Sequence, residues 1–331
     1  MKVFFNSNHS LPGGPVQVNR NLLKALGDRV VARHDRWLPL RILHSAWHTL
    51  TADAVVFSGL LVRDYEVRLA RLLGKKILYI MHGSTLLENG VEHPHEKLQL
   101  RNADIILPVS EFFAERVRDL YPQYAAKIMS LTNGVDWTEL DRIVKSNQGL
   151  ERDSRRVILF GGGRSVKKNL QVCQAVERLN REAGTNLRVD VYGYFRDTDS
   201  SAAIAAMDCV EFHHVIPHDE VMRELMKSAI YVQNSSYEPF SLGLIDALAM
   251  GCDVLFSKYV GAKEIIQGKT DYDVIDNPLD IDEIKSKLLH LIDAPNNRRL
   301  LDSIDRRATS LEASAGKLLD LCSRLSQPHE S

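Results

Sequence analysis

Two carboxylates, Glu238 and Asp246, lie eight positions apart around the start of a short apolar segment. Ser241 is a candidate N-cap and Gly251 a candidate stop, which together predict a helix over residues 242–250. The free N–H groups and the dipole of a helix N-terminus favour an anion such as a diphosphate. A buried carboxylate needs a hydrogen-bonding partner, and a sugar diol can provide two donors. The pattern therefore predicts a diphosphate and diol site, although a core arginine for Asp246 and solvation for Glu238 remain an alternative.

The second candidate segment is Phe160-Gly-Gly-Gly-Arg-Ser-Val-Lys-Lys-Asn169, which follows a predicted strand and precedes a predicted helix. Its glycines, Gly163 among them, allow tight turns and close backbone approach, as Gly243 does in the first segment. Arg164, Lys167 and Lys168 bring positive charge that suits phosphate oxygens. The segment is neither Gly-x-Gly-x-x-Gly nor a P-loop. A polar connecting loop explains the same residues.

Two further candidates follow predicted strands in the first half of the chain. Gly13 and Gly14 lie in Ser10-Leu-Pro-Gly-Gly-Pro-Val16, where a glycine turn could present backbone amides. His82 lies in Met81-His-Gly-Ser84 and could bond a sugar hydroxyl. A simple turn and a structural histidine are the respective alternatives.

The composition excludes several classes of protein. Net charge is -1; residues 1–150 carry 19 Lys+Arg and 15 Asp+Glu, or +4, and the remainder carries 23 and 28, or -5. The four cysteines are far apart, which argues against zinc and disulfides and suits a reducing cytoplasm. We see no Asp-x-Asp triplet of the kind that holds a metal and nucleotide together, so no metal cofactor is expected, and the histidines near His213 lack accompanying ligands at helical spacing. We expect no nucleic-acid partner.

Membrane contact is a separate question. The N-terminus reads as a strand rather than a signal peptide, and no apolar run approaches the ~20 residues of a membrane span. Residues 33–50 form a basic stretch with Trp37 and Trp47 that could lie on a membrane surface. Packing of their apolar residues in the core is the favoured interpretation.

Apolar runs alternate with amphipathic helices, which predicts a doubly wound α/β fold in each half of the chain. The polar residues 145–156 are the predicted linker. We therefore expect a domain over residues 1–148, a second over 149–310, and a C-terminal helix at about 311–328 that packs back on the first. Ligands of such sheets bind beyond the carboxyl ends of the strands, and a cleft between the domains is expected.

The assembled motifs resemble the retaining glycosyltransferases of the GT-B fold in family 4. That family has two Glu residues around seven others, whereas here Glu238 precedes Asp246. The glycine and lysine loop at 160–169 is similar to the family's Gly-Arg…Lys-Asn loop. Further similar elements are Gly13-Gly14, Val109-Ser-Glu111, Asn133-Gly-Val-Asp136 and Gly261-Ala-Lys-Glu264.

The resemblance implies a role for each matching residue. Arg164 and Lys168 would hold the donor diphosphate, and Glu238 and His82 would contact the transferred sugar. Asp246 would bind the ribose, with one methylene less than the family's Glu. The remaining donor-binding positions implied are Gly13, Gly14, Gly163, Val215, Ile216, Phe240, Ser241, Leu242 and Gly243.

The implied function is transfer, with retention, of a sugar from a nucleoside diphosphate to a glycan or lipid-linked acceptor of cell-surface polysaccharide, lipopolysaccharide or glycolipid synthesis. UDP is one expected nucleotide, with GDP or another base as the alternative, and no divalent metal is expected. The expected location is the cytoplasm, with peripheral contact at the inner membrane face as a further option. The alternatives are a sugar-nucleotide epimerase of similar architecture and a non-catalytic homologue that binds sugar nucleotides.

Overall fold

The computed structural model describes residues 1–7, 14–33, 38–59, 62–195 and 199–326. The chain divides into two compact units. Unit 1 comprises Met1–Asp136 and Arg306–Ser331, and unit 2 comprises Trp137–Asp305.

Unit 1 alternates strands and helices. Its elements are β1 (Val3–Ser7), α1 (Gly14–Leu26), β2 (Val30–Ala32), α2 (Leu38–Thr51), β3 (Ala54–Ser58), α3 (Asp64–Leu72), β4 (Lys76–Met81), α4 (Thr85–Asn89), α5 (Pro94–Asn102), β5 (Ile105–Pro108) and α6 (Glu111–Leu120). The strands form one parallel sheet in the order β2-β1-β3-β4-β5. Strands β1 and β3 are buried at every position because helices cover both faces of such a sheet.

The C-terminal segment belongs to unit 1. The last helix described in this unit is Leu311–Ser326. It is numbered α14 because the helices of unit 2 precede it in the chain. This helix contacts α1 and β4. The N–H of Val135 donates to the carbonyl of Thr309 at 2.9 Å. A Cβ at Gly134 would lie 2.7 Å from the Cα of Leu311, so the two segments pass too closely for any side chain there.

Unit 2 has the same alternating plan. Its elements are α7 (Trp137–Ser146), β6 (Asp153–Phe160), α8 (Asn169–Ala183), β7 (Arg188–Tyr192), α9 (Asp199–Ala205), β8 (Val210–His213), α10 (His218–Met226), β9 (Ser228–Gln233), α11 (Leu242–Ala249), β10 (Asp253–Ser257), β11 (Val274–Ile275), α12 (Ile281–Asp293) and α13 (Asn297–Asp302). The strands form a parallel sheet in the order β11-β10-β9-β6-β7-β8.

One hydrophobic cluster fixes the layers of unit 2. Residues of α8 and α12 pack on side chains from β6, β7 and β9, including Val176, Leu288, Leu159 and Val191. Because all strands run the same way, their carboxyl ends meet at one edge of the sheet. The loops that follow β6, β8, β9 and β10 therefore begin at the same edge.

The structure confirms the predicted α/β class with two parallel doubly wound sheets. The short strands β2 and β11 were not predicted, since runs of three and two residues carry no periodic pattern. Helix α7 lies in unit 2, whereas its residues were predicted to lie in the first domain, before a linker at 145–156.

Candidate functional site

Three loops at the carboxyl edge of the unit 2 sheet are bonded to one another. They follow β6, β9 and β10. Their connecting bonds are Ser236 N–H to the Val166 carbonyl (2.8 Å), Asn234 Nδ2 to the Lys168 carbonyl (3.3 Å), Gly261 N–H to the Glu238 carbonyl (2.9 Å) and Ala262 N–H to the Phe240 carbonyl (2.6 Å). The two segments singled out from sequence therefore form one continuous site, joined to the loop that carries Gly261.

The glycines of the first loop are required by neighbouring protein atoms. Gly162 has φ +57°, and a Cβ there would lie 2.6 Å from the carbonyl oxygen of Tyr194. A Cβ at Gly163 would collide with the Ser201 side chain. Asn169 Nδ2 donates to the Gly162 carbonyl at 2.8 Å. The loop is thus fixed between the loop after β7 and the start of α8.

Arg164, Lys168 and Gly163 line the same small cavity, of about 70 Å³, together with Ser165 and Asn169. Lys168 has φ +52°, a left-handed conformation that a non-glycine residue rarely adopts, and it is half-buried at the start of α8. The structure therefore brings together the two cations expected at the diphosphate.

Glu238 forms an ion pair with Lys167, one of the three cations expected from the sequence to suit phosphate oxygens. Both side chains are largely buried, with 20% and 15% of their surface exposed. Gln233 Nε2 also donates to Glu238 Oε2 at 3.3 Å, and its Oε1 accepts from the hydroxyls of Tyr231 and Ser241. Burial, and then the charge of Glu238, raises the pKa of the Tyr231 phenol. Glu238 is therefore held in position rather than solvated, contrary to the alternative for this residue.

The start of α11 follows the prediction. Ser241 is the N-cap, and its Oγ accepts from the N–H of Leu244 at 3.3 Å. Its φ of +86° is left-handed, so the cap is strained. The N–H groups of Leu242 and Gly243 have no acceptor within the helix. A Cβ at Gly243 would lie 3.3 Å from the Tyr231 hydroxyl, so Gly243 here permits a close approach of protein.

Asp246 faces a histidine. His218 Nε2 lies 3.8 Å from Asp246 Oδ2. The alternative interpretation, in which a core arginine pairs with Asp246, is therefore wrong. Burial raises the pKa of the Asp246 carboxyl, and His218 opposes that shift. The same interaction raises the pKa of the His218 imidazole. Val215 and Ile216 lie just before His218 in the loop after β8, with Val215 52% exposed.

A second polar cluster lies on β7 and β8. Asp190, Glu211 and His213 form the one group in the described parts of the chain with a metal-compatible arrangement. Asp190 is bound by Arg156 and by His213 Nε2 (2.9 Å), and the His213 ring stacks on Tyr192. These contacts already occupy the ring and the carboxylate, so a structural role accounts for His213.

His82 lies in unit 1, at the carboxyl end of β4. Ser58 Oγ donates to Asn19 Oδ1 at 2.6 Å, so the 2.8 Å contact of Ser58 Oγ with His82 Nε2 requires the ring nitrogen to donate. Burial lowers the pKa of His82 to about 4. The neutral ring therefore carries its proton on Nε2 and keeps Nδ1 as an acceptor. Gly14 is the exposed first residue of α1, and Gly13 lies outside the described residues.

Within the described residues, none of the helices has the length and apolar character needed to cross a bilayer.

Solved structures with the same arrangement of elements identify the fold. The chain is similar to Anabaena HepE in complex with UDP and glucose, with a TM-score of 0.72, 16% identity, and coverage of 98% of this chain and 100% of that one. It is also similar to an alpha,alpha-trehalose-phosphate synthase (UDP-forming) from Burkholderia xenovorans, with a TM-score of 0.71, 12% identity, and coverage of 98% and 100%. These neighbours place the fold in the GT-B class of glycosyltransferases.

Sequence comparison gives the family. The family described as glycosyl transferases group 1 matches residues 141–308, just over half of the 331 residues. The chain belongs to the glycosyl transferases group 1 family. An uncharacterized glycosyltransferase of Methanocaldococcus jannaschii is 25% identical over 186 residues, which are 53% of this chain and 47% of that relative. The chain thus spans about half the length of this relative.

Proposed function

We propose that this protein is a retaining glycosyltransferase of family 4 that transfers a hexose-type sugar from a nucleoside diphosphate. The observation that carries the proposal is the joining of the glycine and lysine loop to the loop before α11, through Lys167 and Glu238 and two further hydrogen bonds. This arrangement places two cations, a helix N-terminus and a fixed carboxylate at one edge of a parallel sheet. Ligands of such sheets bind at that edge.

The donor diphosphate is assigned to Arg164 and Lys168. Both line the cavity beside Gly163. The first-turn amides of α11, at Leu242 and Gly243, with the loop at Phe240 and Ser241, would complete the phosphate contacts, since they lack acceptors within the helix. Positive charge there stabilises the diphosphate as it leaves.

The nucleoside is assigned to the other side of α11. Asp246 accepts from the ribose hydroxyls, and His218 holds that carboxylate in place until the ribose binds. Val215 and Ile216, in the loop before His218, present their backbone to the base. UDP is the proposed nucleotide, a choice supported by the UDP, UDP-glucose and glucose complexes of Anabaena HepE.

Glu238 is proposed to contact the transferred sugar. Lys167 and Gln233 fix its carboxylate, so one oxygen can accept from a sugar hydroxyl without reorganisation. His82 is proposed to accept from a sugar hydroxyl at Nδ1, since Nε2 is used by Ser58. The roles of Gly13 and Gly14 remain predictions from the resemblance.

The transfer needs no metal in this proposal. The bond between the anomeric carbon and the β-phosphate oxygen breaks, and the acceptor oxygen forms its bond on the same face. The acceptor proton passes to the leaving phosphate, so charge balances without a protein base. Arg164 and Lys168 neutralise the developing diphosphate charge. The acceptor is proposed to be a glycan or lipid-linked precursor of a cell-surface polysaccharide, lipopolysaccharide or glycolipid, with the enzyme acting in the cytoplasm.

The test is a donor panel of UDP-, GDP-, dTDP- and ADP-sugars incubated with cell-envelope extracts. The proposal predicts release of nucleoside diphosphate that depends on added acceptor, and a product with the donor's anomeric configuration by NMR. Interconversion of the donor sugar without acceptor would identify an epimerase instead. Donor binding with no turnover under any condition would identify a non-catalytic homologue.

A further inference from the structure

Helix α2 of unit 1 has the reverse of the usual polarity. Five large apolar side chains of α2 are exposed: Ile42 is the least exposed (40%), and the other four are Leu40 (57%), Leu43 (67%), Trp47 (61%) and Leu50 (52%). With about 100° of rotation about the helix axis per residue, Leu40, Leu43, Trp47 and Leu50 fall within about 80° of arc. These four side chains form one stripe, here called the α2 stripe. The opposite side carries Ser45 and Thr49, each only 1% exposed. The helix thus buries small polar groups and presents its apolar residues outward.

Core packing was the interpretation favoured from sequence for this segment, and it is wrong for the α2 stripe. Trp37 and the side chain of Leu38 lie outside the described residues. On its inward side, α2 contacts Phe4 of β1 through two histidines. The centroid of the Phe4 ring lies 6.1 Å from that of His44 and 5.7 Å from that of His48. Since the ring contacts lie on the inward side, the α2 stripe remains exposed to another surface.

Cations surround the C-terminal end of α2. Lys75 Nζ donates to the Leu50 carbonyl at 2.9 Å, and Lys2 Nζ donates to Thr51 Oγ1 at 2.6 Å. Lys76 is exposed at the first position of β4, beside Ala54 in the sheet register. Two acids lie at this end: Asp53 accepts from the Lys2 backbone N–H at 2.7 Å, and Asp104 accepts from the Ile77 N–H at 2.8 Å and pairs with Arg71. Among the described residues named here, positive charge therefore exceeds negative charge beside the apolar stripe.

We propose that the α2 stripe docks on an anionic lipid bilayer, with α2 lying in the interface and Lys2, Lys75 and Lys76 among the headgroups. An amphipathic helix buries its apolar face about 5–10 Å into the interface. Each nearby Lys adds about 1 kcal/mol at an anionic surface. Trp47, at the centre of the stripe, suits the boundary between headgroups and chains. A second copy of this chain fits less well, because a symmetric contact would bring like-charged rims together.

The inference does not depend on the donor site of unit 2, but it deepens the proposed function. Docking through α2 would bring the enzyme to an acceptor carried on a lipid. Lipid binding can be measured without turnover, so failure of one idea leaves the other standing.

The test uses the full chain with two kinds of vesicle, phosphatidylcholine alone and phosphatidylcholine mixed with phosphatidylglycerol. We expect co-sedimentation with the anionic vesicles that weakens with added salt. The double variant Leu43→Gln/Trp47→Gln should lower the partition coefficient at least about tenfold, because two apolar side chains no longer leave water. Lys75→Gln/Lys76→Gln should weaken binding to anionic vesicles several-fold.

The matched control is Val91→Gln/Leu279→Gln, which alters side chains that are 66% and 58% exposed elsewhere. It should bind vesicles as wild type does, and all variants should keep the wild-type melting temperature. Equal binding to neutral vesicles, or no binding to anionic ones, would overturn the proposal. So would a concentration-dependent dimer that disappears in Leu43→Gln/Trp47→Gln, since the stripe would then join two copies.

Discussion

Lys167 and Glu238 form an ion pair between the loop after β6 and the loop before α11. The pair joins the two sequence segments that carry the candidate chemistry. Lys168, the next residue, lines a cavity together with Arg164. The two adjacent lysines therefore have different roles. Lys167 fixes the Glu238 carboxylate, and Lys168 lies where we place the diphosphate.

Replacing Lys167 should impair the use of the donor sugar. Lys167→Met leaves the largely buried Glu238 carboxylate bonded to the neutral Gln233 amide, and a hydrogen bond to a charged group contributes about 1.5–3 kcal/mol. We expect kcat/KM for the donor to fall about tenfold or more, and a double-mutant cycle with Glu238→Gln to give a coupling of at least about 1 kcal/mol. Lys227→Met, which removes a partner of Glu224 at 2.9 Å, is the control. A change below about twofold in Lys167→Met would contradict this role.

Alanine variants at Gly162 and Gly184 should distinguish the cost of a steric clash from the cost of a left-handed backbone conformation. Both have positive φ, +57° and +66°, but a Cβ at Gly184 would meet nothing within 4 Å, whereas one at Gly162 would meet the Tyr194 carbonyl. Gly184→Ala should cost about 1–2 kcal/mol through the left-handed conformation alone. Gly162→Ala should cost clearly more in urea unfolding and should also weaken donor binding. Equal costs in the two variants would show that the packing of the loop against Tyr194 is unimportant.

The pair of His218 and Asp246 should make stability depend on pH. The folded-state pKa of His218 is raised, so its stabilising contribution is present below its ordinary value of 6.5 and is lost as pH rises through the folded value. The free energy of unfolding should therefore differ between wild type and His218→Gln at pH 6 and converge at pH 9. The difference should stay below about 1 kcal/mol because the imidazole is half exposed. Asp246→Asn should remove the same pH dependence, and a difference unchanged between pH 6 and 9 would refute the coupling.

His82 should lower the free energy of unfolding as pH falls, which is opposite to the effect of His218. Its pKa is lowered to about 4, below the unfolded value of 6.5, so the unfolded chain takes up the proton first as pH falls. Wild type should lose about 1–3 kcal/mol of stability relative to His82→Gln between pH 6.5 and pH 4. His290→Gln, at an exposed histidine of unit 2, is the control. Parallel pH profiles for wild type and His82→Gln would rule out a buried neutral ring.

Sequence periodicity was sufficient for the regular elements near the site. The alternation of strands and helices in both units agrees with the prediction because apolar runs and amphipathic patterns mark these elements in the sequence. The α11 cap was predicted from Ser241 and the apolar run behind it. These features depend on local residues alone, so sequence can show them.

The pairings within the site could not be read from the chain. Lys167 and Glu238 are 71 positions apart, and the choice between adjacent lysines depends on the short 3-10 turn at Ser165–Lys167. The partner of Asp246 required knowing that α10 lies against α11. The exposure of Trp47 was misjudged because an apolar helical face has the same period whether protein or another surface covers it.

The most direct measurement of the central claim is calorimetric titration of the protein with UDP, UMP and uridine. If Arg164 and Lys168 hold a diphosphate, UDP should bind at least about tenfold more tightly than UMP, a difference of about 1.4 kcal/mol. Lys168→Gln should remove most of that advantage while leaving uridine binding unchanged. Equal affinities for UDP and UMP in the wild type, or a UDP advantage that survives Lys168→Gln together with Arg164→Gln, would contradict the account.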